Sequence, residues 1–202
     1  VVVARDTPNF IANRVAFYGL LRVFEMLADR RYTVEEVDAL TGGILGRPPS
    51  ATCRTADLVG LDVVAHVAGN LAGRAGADAF RLPPFVDEMV RRGWIGEKAG
   101  RGFYERRKGP GGQTDIYALD PVTMDYRPPT KPAMPALDAA RAMDDLRERI
   151  RALFHGTERA GEFLRATLAP MLVYTARVAP DIASTIDDVD RAMRWGFGWE
   201  LG

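Results

Sequence analysis

The 202 residues hold one cysteine and two histidines, and neither charge is in excess, since Lys plus Arg and Asp plus Glu each number 27. A lone Cys53 excludes an internal disulfide and fits a reducing compartment. Balanced charge supplies no long-range field for nucleic acid or an anionic membrane, and no acidic solvating tail. There is no run of about 18 apolar residues and no signal-peptide pattern, so the expectation is a soluble chain, by default cytoplasmic. His66 has no second His, Cys or carboxylate at ligand spacing and reads as a helix-surface or satisfied core residue. His155 suits the negative end of a helix. Cys53, with only Arg54 beside it, reads as small and buried rather than reactive. Also missing is a G-x-G-x-x-G turn after any predicted strand: Gly109, Gly111 and Gly112 fall in a polar turn with no helix to receive a pyrophosphate.

What is present is organised around Asp6 to Asp38. Asp6 or Thr7 can cap a helix and Pro8 suits its first position, which predicts entry at Pro8. Phe10, Phe17, Leu20, Leu21, Phe24 and Leu27 then recur at helical spacing, with Arg22, Glu25, Asp29 and Arg30 largely opposite. Asn13 interrupts that apolar face one turn in, where a carboxamide needs a partner. The helix is expected to end near Arg30 and Arg31. Thr33 and Glu36 then form a capping box for a short second helix, which Gly42, Gly43 and Gly46 end.

Asp6-Thr7-Pro8-Asn9-Phe10-Ile11-Ala12-Asn13-Arg14 resembles the D-x-P-G-F-x-x-N-R signature that opens the C-terminal helical domain of L-3-hydroxyacyl-CoA dehydrogenases. Thr33 to Asp38 is similar to that family's second-helix start, Ala56-Asp57-Leu58-Val59-Gly60-Leu61-Asp62 to its D-x-x-G-L-D element, and Lys98-Ala99-Gly100-Arg101-Gly102-Phe103-Tyr104 to its K-x-G-x-G-F-Y close. Asn9 stands where the pattern has Gly, and Pro48 to Thr55 replaces its P-M-G-P-F-E-L run.

The resemblance implies a mainly α fold, a 6-phosphogluconate-dehydrogenase-like C-terminal helical domain with a small antiparallel β-hairpin, followed by a truncated second helical copy. It implies oxidation of a fatty 3-hydroxyacyl-CoA to the 3-ketoacyl-CoA in β-oxidation. The hydride would pass to NAD, and a His oriented by a Glu would remove the hydroxyl proton. Those groups would belong to an upstream nucleotide-binding domain, and Val1-Val2-Val3 reads as the end of its sheet. Asn13 is the catalytic residue the resemblance places here, its amide holding the substrate oxygen or the His; the alternative is a structural amide, and Arg14 is expected to make a structural bond. Lys98 and Arg101 can meet the phosphates of coenzyme A, the alternative being cations solvated at a helix end.

Further along, one helix is expected from about Thr55 to Ala72, and another from Pro83 and Pro84 through Arg92 with Gly93 as a left-handed cap. Phe103 to Glu105, Ile116 to Leu119 and Met124 to Tyr126 predict an antiparallel hairpin or three-stranded ribbon, with Gly109 to Thr114 and Asp120-Pro121 as its turns. The four prolines of Arg127 to Pro135 predict an extended connection. Leu137 to Leu153 predicts one helix stopped at Gly156, and a further helix starts at Thr157, with Pro170 expected to kink it.

Thr185-Ile186-Asp187-Asp188-Val189-Asp190 echoes Thr33 to Asp38, and each follows a long amphipathic helix, so the chain reads as one helical lobe and the start of a second copy. The expected segments are 1–5, a remnant of the upstream domain; 6–101, the first helical domain; 102–127, the ribbon; 128–136, the linker; and 137–202, the incomplete second copy. Two functional classes follow: a piece of an NAD-dependent dehydrogenase, inactive alone and binding no cofactor itself, or a helical module that self-associates through apolar faces.

Overall fold

Two long helices that cross one another set the frame on which the other elements are hung. The computed structural model describes residues 1–109 and 111–202. α1 (Ala12–Ala28) and α8 (Arg159–Ile182) run antiparallel. At one end the Tyr32 hydroxyl donates to the carbonyl of Arg159 at 2.7 Å, and at the other the Arg5 amide donates to the carbonyl of Ile182 at 3.0 Å. Between them come α2 (Val34–Thr41), α3 (Cys53–Val59), α4 (Leu61–Ala75), α5 (Pro84–Arg91), three strands, α6 (Pro135–Arg141) and α7 (Leu146–His155). α9 (Ile186–Phe197) follows α8. The chain is mainly helical, with one small antiparallel sheet.

That sheet is the three-stranded ribbon: β1 (Tyr104–Lys108), β2 (Thr114–Asp120) and β3 (Asp125–Arg127), in the order β1-β2-β3. Tyr104 pairs with Ala118 and Ala118 with Arg127. The predicted turn Gly109 to Thr114 includes Pro110, which lies outside the described residues.

Three helix boundaries differ from the sequence expectation. α1 begins at Ala12, not Pro8, because Asn9 and Phe10 take φ of 59° and 52°, a left-handed turn that no α-helix admits. Asn tolerates that conformation better than most side chains, and Gly, which the family pattern has here, adopts it freely. Phe10 therefore leaves the apolar face and is 59% exposed. The helix expected from Thr55 to Ala72 is two helices, broken at Gly60 with φ 99°. A side chain there would lie 2.8 Å from Lys98 Nζ. The helix expected from Leu137 to Leu153 is likewise two: the chain leaves α6 at Ala142, and the Asp145 carboxylate caps α7 by accepting from the Glu148 amide at 2.9 Å. The linker is pinned to the first lobe, since Glu35 accepts from Arg127 and from the Thr130 amide, both at 2.7 Å.

The main core gathers the apolar faces of α1 to α5 with β1, β2 and α6 to α8. At its centre Phe24 meets Phe103 and Phe85 at centroid distances of 5.2 and 6.2 Å. A second, smaller cluster joins Ile11, Val15 and Ala16 of the α1 end to Met171 and Ile182 of α8 and Val189 and Met193 of α9. The halves echo one another here. The Thr33 hydroxyl caps α2 by accepting from the Glu36 amide, and the Thr185 hydroxyl caps α9 by accepting from the Asp188 amide. Laying Thr185 over Thr33 puts Met171 over Gly19, and these two meet where the helices cross: a β-carbon on Gly19 would lie 2.7 Å from Met171 Sδ. Residues at the same offset from the two caps thus meet at the crossing. The start of the chain joins this cluster, with Ala4 in an antiparallel bridge to Ala183. Its close is clasped by Arg47, whose guanidinium lies 3.8 Å from the centre of the Trp199 ring. Burial lowers the Arg47 pKa to about 10, leaving it charged at neutral pH.

Candidate functional site

Asn13 sits in the first turn of α1, where helix geometry leaves the leading N–H groups without intrahelical partners. No side chain caps this end. The Asn13 side chain is exposed, and among the described residues none donates to it or accepts from it.

Its neighbours are anchored on both sides. Ala12 packs against Gly196 of α9, where a β-carbon would lie 3.5 Å from the Ala12 methyl. Arg14 Nε donates to the Tyr174 hydroxyl of α8 at 2.9 Å, where the sequence reading expected a structural ion pair or hydrogen bond with no partner named. Tyr174 is stacked on Tyr18 with centroids 4.0 Å apart and planes 3° apart, while Phe80 stands edge-on to Tyr174 at 5.9 Å. The Arg22 guanidinium lies 5.1 Å above the other face of the stack at Tyr18. Nothing in the sequence marked Tyr174, because an aromatic at helical spacing reads as ordinary core.

Lys98 and Arg101 lie elsewhere, in the loop between α5 and β1. Lys98 Nζ pairs with Asp62 at 2.6 Å and is about half exposed. Arg101 pairs with Glu105 and lies 5.3 Å from the centres of both the Trp94 and Tyr126 rings. No hydrogen bond or ion pair among the described residues joins either cation to the Asn13 turn. Both face carboxylates already.

The D-x-x-G-L-D and K-x-G-x-G-F-Y stretches are brought together by buried carboxylates. Asp57 accepts from the amides of Phe103 and Tyr104 at 2.7 and 2.9 Å, and Gly96 and Gly102 pack so closely on it that neither could carry a side chain. Asp38 accepts from the amides of Thr52, Cys53 and Arg54 at 3.1, 2.6 and 3.2 Å, capping α3 from α2, and from the Tyr104 hydroxyl at 2.8 Å. Burial raises Asp38 to about 6 and Asp57 to about 7, against the hydrogen bonds that favour their charged forms. Cys53 is buried beneath them, and that burial raises its thiol well above the ordinary value, so it packs as a small apolar group. His66 is a surface residue 2.9 Å from the Asn70 amide.

No group of three His, Cys, Asp or Glu residues suited to a metal ion is found among the described residues, and no helix there is long and apolar enough to cross a membrane. The strands form only an antiparallel meander, which offers no strand–turn–helix cradle for a pyrophosphate. The described residues therefore do not fit a dinucleotide site.

Residues 10–106 match the family described as 3-hydroxyacyl-CoA dehydrogenase, C-terminal domain. The whole chain is 48% identical over 205 residues to a "Probable 3-hydroxyacyl-CoA dehydrogenase" of Bacillus subtilis, covering 25% of it. Over 109 residues, 54% of the chain, it is 47% identical to a protein of the same name from Deinococcus radiodurans, covering 32% of that protein. A Rickettsia felis protein named as a fatty acid oxidation complex trifunctional enzyme is 26% identical over 208 residues, all of this chain and 27% of the relative. The chain thus spans between a quarter and a third of the length of these relatives.

Proposed function

Because this chain belongs to the 3-hydroxyacyl-CoA dehydrogenase family through a C-terminal domain at residues 10–106, we propose that it forms one wall of the substrate cleft of an NAD-dependent enzyme. The intact protein oxidises fatty 3-hydroxyacyl-CoA to 3-ketoacyl-CoA in the cytoplasm, as a step of fatty-acid β-oxidation. A nucleotide-binding domain upstream holds NAD and the proton-accepting group. The chain's own contribution is the Asn13 carboxamide, which can donate two hydrogen bonds and accept others without exchanging a proton. It holds the substrate oxygen, or the base that deprotonates it, in reacting position.

The observation that carries this reading is that Asn13 is exposed and unbonded among the described residues. An exposed carboxamide with no partner among the described residues is free to meet a substrate or catalytic group, whereas the buried Asp38 and Asp57 carboxylates are committed to backbone amides. The test is Asn13→Ala in the intact enzyme: kcat should fall by roughly ten- to a hundredfold with the unfolding midpoint unchanged. Normal turnover would overturn the role. The 202-residue chain alone should yield no NADH from NAD and a 3-hydroxyacyl-CoA. For Lys98 and Arg101 the reading requires an exchange of Asp62 or Glu105 for a coenzyme A phosphate; a Lys98→Ala enzyme with unchanged KM for acyl-CoA would remove Lys98 from the site.

A second reading, an association module, is favoured by one observation. α8 turns Leu172 and Val173 outward at 59% and 50% exposure, beside the exposed Ala176. Such a stripe at helical spacing seeks an apolar partner. Under this reading the isolated chain self-associates through α8.

A further inference from the structure

Asn13 has no tether of its own, yet the residues on either side of it do, and both tethers come from the far half of the chain. Ala12 rests on Gly196 of α9, and Arg14 donates to the hydroxyl of Tyr174 on α8. The turn that precedes them has left-handed residues at Asn9 and Phe10, and α1 opens without a side-chain cap. The rotation of this first turn is therefore set from outside the helix. Tyr174 is fit to set it. Its ring is fixed by the stack on Tyr18 and by Phe80 edge-on, so its hydroxyl is a stationary acceptor. Arg14 makes no ion pair with a carboxylate among the described residues, which leaves the Tyr174 hydroxyl as the polar group that orients it.

We propose that Tyr174 is a positioning residue: through Arg14 it fixes the direction in which the Asn13 amide points. The second lobe would then act on chemistry performed at the first. This rests on the reading of Asn13 given above. A loosened turn leaves the substrate site and its binding contacts in place but spreads the amide over several orientations, so the loss belongs in turnover and not in affinity.

The test is a double-mutant cycle in the intact dehydrogenase with Asn13→Ala, Tyr174→Phe and the pair, measuring kcat, KM for acyl-CoA and the unfolding midpoint. Tyr174→Phe keeps both rings stacked and removes only the hydroxyl. The expected result is a kcat lower by roughly tenfold with KM unchanged, and a double variant no slower than Asn13→Ala alone. Arg14→Met, which breaks the same hydrogen bond from its other end, should match Tyr174→Phe. Independent, multiplying losses in the cycle would overturn the proposal, as would a normal kcat for Tyr174→Phe beside a slow Asn13→Ala; in either case Asn13 keeps its role. A normal kcat for Asn13→Ala would overturn the role of Asn13 and, with it, that of Tyr174.

Discussion

Asp38 and Asp57 show how much a single side chain can decide here. Each spends its carboxylate on main-chain amides of a distant segment, and burial raises them to about 6 and about 7 from an ordinary 3.8. The native chain therefore keeps these protons to a higher pH than the unfolded chain does. Between about pH 4 and 7 the folded state binds more protons, so this contribution to stability is present in acid and is lost as pH rises through the folded values. Glu88, held near 2 first by its bonds to Arg91 and Arg92, behaves oppositely, its contribution being lost as pH falls. Comparing the wild type with Asp57→Asn isolates the first effect. The stability of the wild type relative to the variant should decline from pH 4 to 8, and a flat difference would show that Asp57 ionises as it does when unfolded. In the sequence both residues were visible only as motif letters. Their role depends on which backbone amides arrive beside them, and that is a property of the folded loop. Asn13 was legible as the polar exception on an apolar face, but its exposure was not, because that depends on what packs beside the first turn of α1.

At the scale of elements the cap of α2 was legible, because Thr33 with Glu36 acts over one turn of chain, whereas the cap expected at Asp6 or Thr7 is absent and that of Thr185 on Asp188 came only with the structure. Thr185→Ala should cost about 1 kcal/mol in chemical denaturation, and no change would mean that α9 is held by packing alone. The breaks at Gly60 and before Asp145 escaped a periodicity reading, since apolar spacing continues across both. Gly60→Ala meets a φ of 99° and the Asp62 and Lys98 side chains at once. It should destabilise by more than about 1 kcal/mol, measured as a shift in urea midpoint. Counting back from the two capping threonines shows what the second long helix does not carry. The counterpart of Asn13 is Arg165, which donates to the carbonyls of Phe154 and Gly156 and closes the end of α7. The amide occurs once.

Across the whole molecule the echo of Thr33 to Asp38 in Thr185 to Asp190 was legible, but the way the two long helices meet was not, since the crossing depends on a residue without a side chain, Gly19, facing Met171. The comparison also explains the outward stripe of α8. Val173, Ala176 and Ile186 fall on Leu21, Phe24 and Val34, which are fully buried in the first lobe. There Phe85 of α5 and Phe103 beside β1 cover Phe24; no described residue does the same for α8. Light scattering across a dilution series should therefore report self-association of the chain, and Leu172→Glu with Val173→Glu should abolish it. A strictly monomeric wild type would dismiss the association reading. The bridge of Ala4 to Ala183, with the Arg5 amide on the Ile182 carbonyl, has a reach beyond this surface. It bolts the entry to α1 onto the turn between α8 and α9, so the placement of that entry depends on residues made much later. During synthesis, that placement would stay unset until α8 had left the ribosome.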